Sequence, residues 1–195
     1  MNSVVDVDYA HLFFPPTEKK LAMTEIALYS STPYCSNQRL LSFLKDELKI
    51  SGKLSELTAI DATGCVGADA SGFATVFKHV TVYEPDEVNF SALKHNFSAL
   101  GLSADLRNEA IDLKKSEKLG ADFIYFDPPW GGKDYKADKA TRLMLGGSDI
   151  FDIVRRVKAT LVVVKVPHNA DLSSAKGLKF KKVSLKKFSY LFIQC

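Results

Sequence analysis

Cysteine is scarce: Cys35, Cys65 and Cys195 are the only three in 195 residues, and they lie far apart. That excludes a disulfide framework and a Cys-x-x-Cys metal pair, and an odd number cannot all pair within one chain. A reducing compartment is therefore expected. The four histidines are scattered singly, so no metal-ligand cluster is visible and no metal is expected. No apolar run approaches the ~18 residues that span a bilayer, which sets aside membrane insertion. The first residues, MNSVVDVDYA, lack the basic start and apolar stretch of a secretory signal. The expected setting is intracellular, cytoplasm or nucleus, or the host cytoplasm for a viral protein. There is no repeat, no low-complexity segment and no Gly-x-x-x-x-Gly-Lys-Ser/Thr loop, so a P-loop nucleotidase is disfavoured. Charge is nearly balanced, 26 basic against 23 acidic residues, and a net +3 names no partner by itself.

What is present is a globular composition, 46% hydrophobic and 25% charged. Residues 1–50 read as a short N-terminal docking and helical segment, and 51–195 as the main domain. Residues 1–30 mix Pro15-Pro16, charges and aromatics. Leu40, Leu41, Leu44 and Leu48 recur at helical spacing, so a helix is expected from a Ser36 or Asn37 cap to about Lys49. From residue 57 strands and helices alternate. Strands are expected at Leu57–Ala62, Val80–Glu84, near Leu106, at Ala121–Asp127 and at Leu161–Val166, the last read as apolar throughout. Helices are expected over 67–78, 87–100 and 148–158. Two final strands, Lys181–Lys186 and Ser189–Gln194, suggest a hairpin. The pattern predicts an α/β, Rossmann-like fold: a seven-stranded, mostly parallel sheet with an antiparallel C-terminal hairpin strand and helices on both faces.

In such sheets ligands bind beyond the carboxyl ends of the strands. After the first strand comes Asp61-Ala62-Thr63-Gly64-Cys65-Val66-Gly67, a turn in which glycine lets the backbone approach a ligand. Glu84 ends the second strand, where an acid can accept both ribose hydroxyls. Asp112, after the third strand, is placed to meet an adenine amino group. A dinucleotide wants Gly-x-Gly-x-x-Gly and a helix start that welcomes phosphate. Here Asp69 stands at that helix start, and an acidic rim of Asp61, Asp69 and Glu84 suits S-adenosylmethionine, a nucleoside with a sulfonium and no phosphate.

The second motif, Asp127-Pro128-Pro129-Trp130-Gly131-Gly132, follows the strongest apolar strand. Prolines lack the backbone donor and fix φ, so this loop is rigid and rich in acceptors. The Asp127 side chain and the Pro128 carbonyl can take both hydrogens of an exocyclic amine. That arrangement would orient its lone pair and disperse the charge that grows in methyl transfer. Trp130, the single tryptophan, offers a face for stacking a base. On these residues Asp127, Pro128 and Trp130 are the candidate catalytic group.

The chain resembles the trimethylguanosine synthase family of class I methyltransferases, from about Tyr29 to the C-terminus. The resemblance rests on Asp-Pro-Pro-Trp-Gly-Gly-x-Asp-Tyr at 127–135, on Val166-Pro167-His168-Asn169-Ala170-Asp171, and on Tyr29-Ser-Ser-Thr32-Pro33. It implies an S-adenosylmethionine-dependent enzyme that methylates the 2-amino group of a 7-methylguanosine RNA cap, giving a di- or trimethylguanosine cap. It further implies cofactor contacts from Thr32, Asp61, Glu84 and Asp127, which the turn residues Thr63, Gly64 and Gly67 and the strand-end Asp112 join on position. Trp130 would stack on the base, Tyr135 and His168 would reach the cap phosphates, and Asn169 belongs to the same substrate motif. Lys133 joins the substrate group on charge and position. The implied partner is capped RNA, the expected state a monomer, and the cap's 7-methyl group is expected to be required. Two departures stand out: Thr63-Gly64-Cys65 and Ala68-Asp69 replace the family's Phe-Cys-Gly and Gly-Asn, and His168 stands where arginine is usual. The rival readings are an adenine 6-amino methyltransferase acting on DNA or RNA, and a non-catalytic cap- or RNA-binding subunit. The tail lysines, Lys176, Lys179, Lys181, Lys182, Lys186 and Lys187, read either as a strip for RNA or as guards on an edge strand, and the second is preferred.

Overall fold

The computed structural model describes residues 4–5, 10–13, 15–48, 53–111, 120–132, 135–137 and 139–195. The chain forms two compact units, Met1–Ala110 and Ile111–Cys195. The first contains β1 (Val4–Val5), β2 (Met23–Thr24), α1 (Glu25–Ser30), α2 (Tyr34–Glu47), β3 (Thr58–Asp61), α3 (Ala68–Val76), β4 (His79–Tyr83), α4 (Glu87–Leu100) and β5 (Asp105–Arg107). The second contains β6 (Gly120–Phe126), β7 (Met144–Leu145), β8 (Ser148–Asp149), α5 (Ile150–Val154), β9 (Lys158–Pro167), β10 (Phe180–Ser184) and β11 (Phe188–Gln194). Seven strands make one mostly parallel sheet in the order β10-β11-β9-β6-β3-β4-β5, with helices around it. This is the expected Rossmann-like α/β fold, and its final hairpin supplies the antiparallel strand.

In the first unit β4 lies between β3 and β5, parallel to both. Local chemistry sets the helix ends. The Asp86 side chain accepts from Asn89 N–H at 2.8 Å and starts α4, which Gly101 stops with φ 70°. Helix α2 begins at Tyr34 behind Pro33, earlier than a Ser36 or Asn37 cap would place it. Proline's fixed φ leads directly into the first turn, and Asn37 lies buried within the helix instead.

Part of the N-terminal segment packs into the first unit. Leu12, Phe13, Leu21, Met23 and Ala27 are buried with Val66, Ala68 and Ala92. Asn96 of α4 pins it. Its Oδ1 accepts from Ala22 N–H at 2.6 Å, and its Nδ2 donates to the carbonyls of Ala22 and Val66, each at 2.9 Å. Two turns earlier on α4, Thr24 Oγ1 donates to Asn89 Oδ1 at 2.8 Å and also caps α1.

In the second unit β9 runs parallel to β6 and antiparallel to β11, which in turn pairs antiparallel with β10. The helix expected over 148–158 is shorter. Gly146 and Gly147, at φ 56° and 79°, form the turn between β7 and β8. Asp149 then caps α5 by accepting from Phe151 N–H at 2.9 Å, and β9 already begins at Lys158. No helix among the described residues is long and apolar enough to cross a membrane.

Asn96→Ala deletes three hydrogen bonds and leaves part-buried backbone groups of Ala22 and the buried Val66 carbonyl without this partner. A loss of about 2–4 kcal/mol is expected in urea unfolding followed by circular dichroism. A change below about 0.5 kcal/mol would show that the segment is held by apolar contacts alone.

Candidate active site

The first unit builds a tight acidic turn at the ends of β3 and β4. Asp61, 1% exposed, closes β3, and its Oδ1 accepts from Thr63 N–H at 3.0 Å. Gly64 N–H donates to Tyr83 O and Gly67 N–H to Gly64 O, both at 2.8 Å. A Cβ on Gly64 would lie 2.3 Å from Val82 Cγ1, so this position excludes any side chain. Gly67 has φ 91° at the start of α3, where only glycine is unstrained.

Cys65 takes φ 48°, the one positive φ outside glycine among the described residues. Glu84 compensates: its Oε2 accepts from Cys65 N–H at 2.8 Å, and its Oε1 accepts from Asp86 N–H at 2.8 Å. Burial pushes the Glu84 carboxyl above its ordinary value, against hydrogen bonds from Asp86, Cys65 and Asn89 that favour the charged form.

Asp69, expected beside Asp61 and Glu84 on an acidic rim, is engaged by side chains of the preceding segment. It is buried, accepting from Thr32 Oγ1 at 2.7 Å and from Asn37 Nδ2 at 3.4 Å. Asn37 also donates to the carbonyls of Ala68 and Asp69. Asp69 thus fastens α2 and the Thr32-Pro33 entry to the start of α3. A Cβ on Gly72 would lie 2.4 Å from Asn37 Oδ1, so glycine there makes room for this clasp.

The second unit builds an aromatic and ionic cluster. Strand register explains it: Tyr125 lies opposite Val163, so two residues on, Asp127 leaves β6 on the face that carries Lys165. Lys165 Nζ donates to Asp127 Oδ2 at 2.7 Å, with the lysine side chain only 2% exposed and the aspartate 18%. Phe188 pairs with Pro167 across β9 and β11, which puts its ring on the same face. The ammonium lies 4.9 Å from the Phe188 ring centre and 5.3 Å from that of Trp130. Trp130 is half-buried, meeting the Tyr135 ring edge-on at 5.2 Å and the Phe188 ring at 6.4 Å. Its Nε1 is buried with no hydrogen-bond partner among the described residues.

Asn169, expected at the substrate, holds the loop behind it: Nδ2 donates to Tyr135 O at 2.8 Å. Asn169 therefore positions Tyr135, which buttresses Trp130. His168 is exposed, with Nε2 3.4 Å from Lys186 O and Nδ1 3.4 Å from Ser189 Oγ. Pro128 is buried and Pro129 exposed. Asp112 and Lys133 lie outside the described residues. Among the described residues no group of three His, Cys, Asp or Glu could hold a metal ion.

The first unit thus gathers Thr32, Asp61, Thr63, Gly64, Gly67 and Glu84 around one turn, and the second gathers Asp127, Trp130, Tyr135 and Asn169. Lys165 was missed. Leu161–Val166 was read as wholly apolar, yet a lysine interrupts it. That interruption was the available signal, because a lysine inside a buried strand requires a partner.

A family model described as RNA cap guanine-N2 methyltransferase matches residues 57–187. The chain belongs to that family. A curated mimivirus relative, uncharacterized protein L320 of Acanthamoeba polyphaga mimivirus, is 22% identical over 185 residues, which is 89% of this chain and 70% of that protein. Among solved structures, the Thermus thermophilus 16S rRNA N2 G1207 methyltransferase, in complex with AdoMet and guanosine, superposes with TM-score 0.69. It is 15% identical and covers all of this chain and half of its own. The putative methyltransferase SMU.1697c of Streptococcus mutans, in complex with SAH, superposes with TM-score 0.54 at 14% identity, over 80% of this chain and 97% of its own.

The protein is an S-adenosylmethionine-dependent methyltransferase. The donor set of its first unit fits that cofactor. Buried acids stand at two strand ends, suited to ribose hydroxyls and a nearby cation. Asp69 puts negative charge at the start of α3, where a phosphate would otherwise be welcome.

Asp127→Ala takes the carboxylate partner away from a buried ammonium and is expected to cost about 3–5 kcal/mol of stability as well as activity. Adding Lys165→Met should recover a large part of that loss, read by urea unfolding of the single and double variants. A double variant no more stable than Asp127→Ala would show that the ion pair is not the source.

Proposed function

We propose that the enzyme methylates the exocyclic 2-amino group of guanosine in a 7-methylguanosine RNA cap, giving a di- or trimethylguanosine cap. The observation that carries this reading is the Asp127 carboxylate beside a half-buried tryptophan bracketed by Tyr135 and Phe188. Such a site can hold a flat base by one face and its amine by one edge. The family description supports it.

In this reading Trp130 stacks on the base. Asp127 and the Pro128 carbonyl accept the two amine hydrogens, which aims the nitrogen lone pair. When bound, S-adenosylmethionine would supply an electrophilic methyl group on its sulfonium, which the amine nitrogen would take up while the C–S bonding pair stays with sulfur. The methylated nitrogen then releases a proton to water, so no strong base is needed. Lys165 Nζ, 2.7 Å from Asp127 Oδ2, holds the carboxylate in place beside the indole. Most of the rate comes from positioning and charge complementarity.

The ion pair also revises the expected need for the 7-methyl group. A cationic base gains ~0.5–2 kcal/mol over an indole face. The Lys165 ammonium already faces Trp130, and its pair with Asp127 has no net charge, so the gain falls at the low end. A preference of a few-fold for a methylated cap follows, not an absolute requirement.

A second acceptor is guanosine within an RNA chain. The Thermus neighbour is described as a 16S rRNA guanine-N2 methyltransferase and spans this whole chain at TM-score 0.69.

Labelled S-adenosylmethionine should be incubated with methylated and unmethylated cap dinucleotides, uncapped RNA and duplex DNA. Label is expected in both caps, more in the methylated one. Trp130→Ala should abolish the transfer while cofactor affinity by calorimetry stays within about threefold. Label only in uncapped RNA would favour the second acceptor, label only in DNA an adenine methyltransferase. No cofactor binding at all would leave a binding module.

A further inference from the structure

We propose that Thr24 and Asn89 are positioning residues for the cofactor. They form a buried relay to Glu84, through which the N-terminal segment sets the affinity of the first unit for S-adenosylmethionine. The proposal rests on Glu84 as a cofactor carboxylate and is independent of the acceptor.

The relay consists of three buried polar side chains. Thr24 Oγ1 accepts from Ala27 N–H at 3.3 Å as the cap of α1. Its single proton goes to Asn89 Oδ1 at 2.8 Å, across 65 positions of sequence. Asn89 stands in the first turn of α4, where its own N–H donates to Asp86 Oδ1 at 2.8 Å. A side-chain amide carries its acceptor and its donors on opposite sides of one plane. A hydroxyl donating to Oδ1 therefore fixes which way the group faces and turns Nδ2 away from Thr24. The Asn89 side chain donates to the Glu84 carboxylate. The N–H groups of Cys65 and Asp86, each at 2.8 Å, complete the set of three donors that hold that carboxylate at the end of β4.

Packing alone does not call for these groups. Valine and leucine would fill the volumes of threonine and asparagine without desolvating a hydroxyl and an amide. Neither can point a donor at a carboxylate. The N-terminal segment meets the cofactor turn at two further places: Asn96 links Ala22 to the Val66 carbonyl, and Thr32 donates to Asp69 at the start of α3. The relay through Asn89 is the contact that ends on a strand-end acid suited to ribose hydroxyls. Coupling of this kind is reciprocal, so a cofactor that orders Glu84 also tightens the hold on Thr24.

The probe is S-adenosylhomocysteine, which binds without an acceptor. Calorimetry reads its dissociation constant at a temperature where circular dichroism shows each variant folded. Thr24→Val keeps the shape and removes the hydroxyl, and should weaken binding about fivefold or more. Thr24→Ser should stay within about twofold of wild type, and Glu84→Gln should lose about tenfold or more. In the Glu84→Gln background, Thr24→Val should add less than about twofold, because the path it acts through is already cut. In the wild type, the Asn89 side-chain amide should shift in nitrogen–proton correlation spectra as S-adenosylhomocysteine saturates the site.

A folded Thr24→Val protein that binds within about twofold of wild type would overturn the proposal. A loss of the same factor in both backgrounds would also overturn it, reducing Thr24 to a support of the segment. An Asn89 side-chain amide unmoved by the ligand would overturn it even where no Thr24 variant folds. If Glu84→Gln binds as wild type does, Glu84 is not a cofactor acid and the relay falls, while the acceptor reading, tested with capped RNA, is untouched.

Discussion

A buried ammonium must be answered by a carboxylate, and in this chain that requirement joins Lys165 to Asp127. The lysine is almost wholly enclosed, at 2.7 Å from its partner, among the rings of Trp130 and Phe188. Its aliphatic stem lies in a sheet of valines and aromatics, and desolvation forbids it to stand there alone. The pair therefore fixes where the strand β6 must release its loop. Pro128 and Pro129 carry that loop away rigidly, and Trp130 returns over the ammonium. Removing either partner would disturb the loop, the indole and the acceptor carboxylate together.

The same economy of fixed polar contacts governs the first unit. Glu84 does two things at once: it steadies Cys65 in a conformation that non-glycine residues avoid, and it presents a buried carboxylate at the end of β4. Asp69 is spent on structure, clasping Thr32 and Asn37. This explains how the start of α3 accommodates Ala68-Asp69. The acid has partners supplied by α2 and its entry segment, so it neither floats at the rim nor strains the helix start.

Periodicity and punctuation made the sheet legible. Strands of four to seven residues closed by Asp61, Pro85 or Pro128, and a helix stopped by Gly101, leave few other arrangements. Legibility failed where tertiary partners decide. Nothing local to Asn37 or Asp69 announces that they bind one another across 32 positions. The start of α5 and the early start of β9 depend on the Asp149 cap and on pairing with β6, not on helical spacing. Lys165 is the instructive miss: the valines around it made the segment read as uniform, although the one charged residue carried the information. For Asn169, motif resemblance found the residue, but its hydrogen bond to Tyr135 O could not be read from the sequence.

Which atom receives the methyl group defines the enzyme's acceptor. Tandem mass spectrometry of a 7-methylguanosine cap dinucleotide after incubation with enzyme and S-adenosylmethionine locates it directly. A guanine fragment heavier by one or two methyl groups, with both on the exocyclic 2-amino nitrogen, is the predicted result. Methylation confined to a ribose oxygen, or an unchanged cap from an enzyme that binds the cofactor, would contradict it.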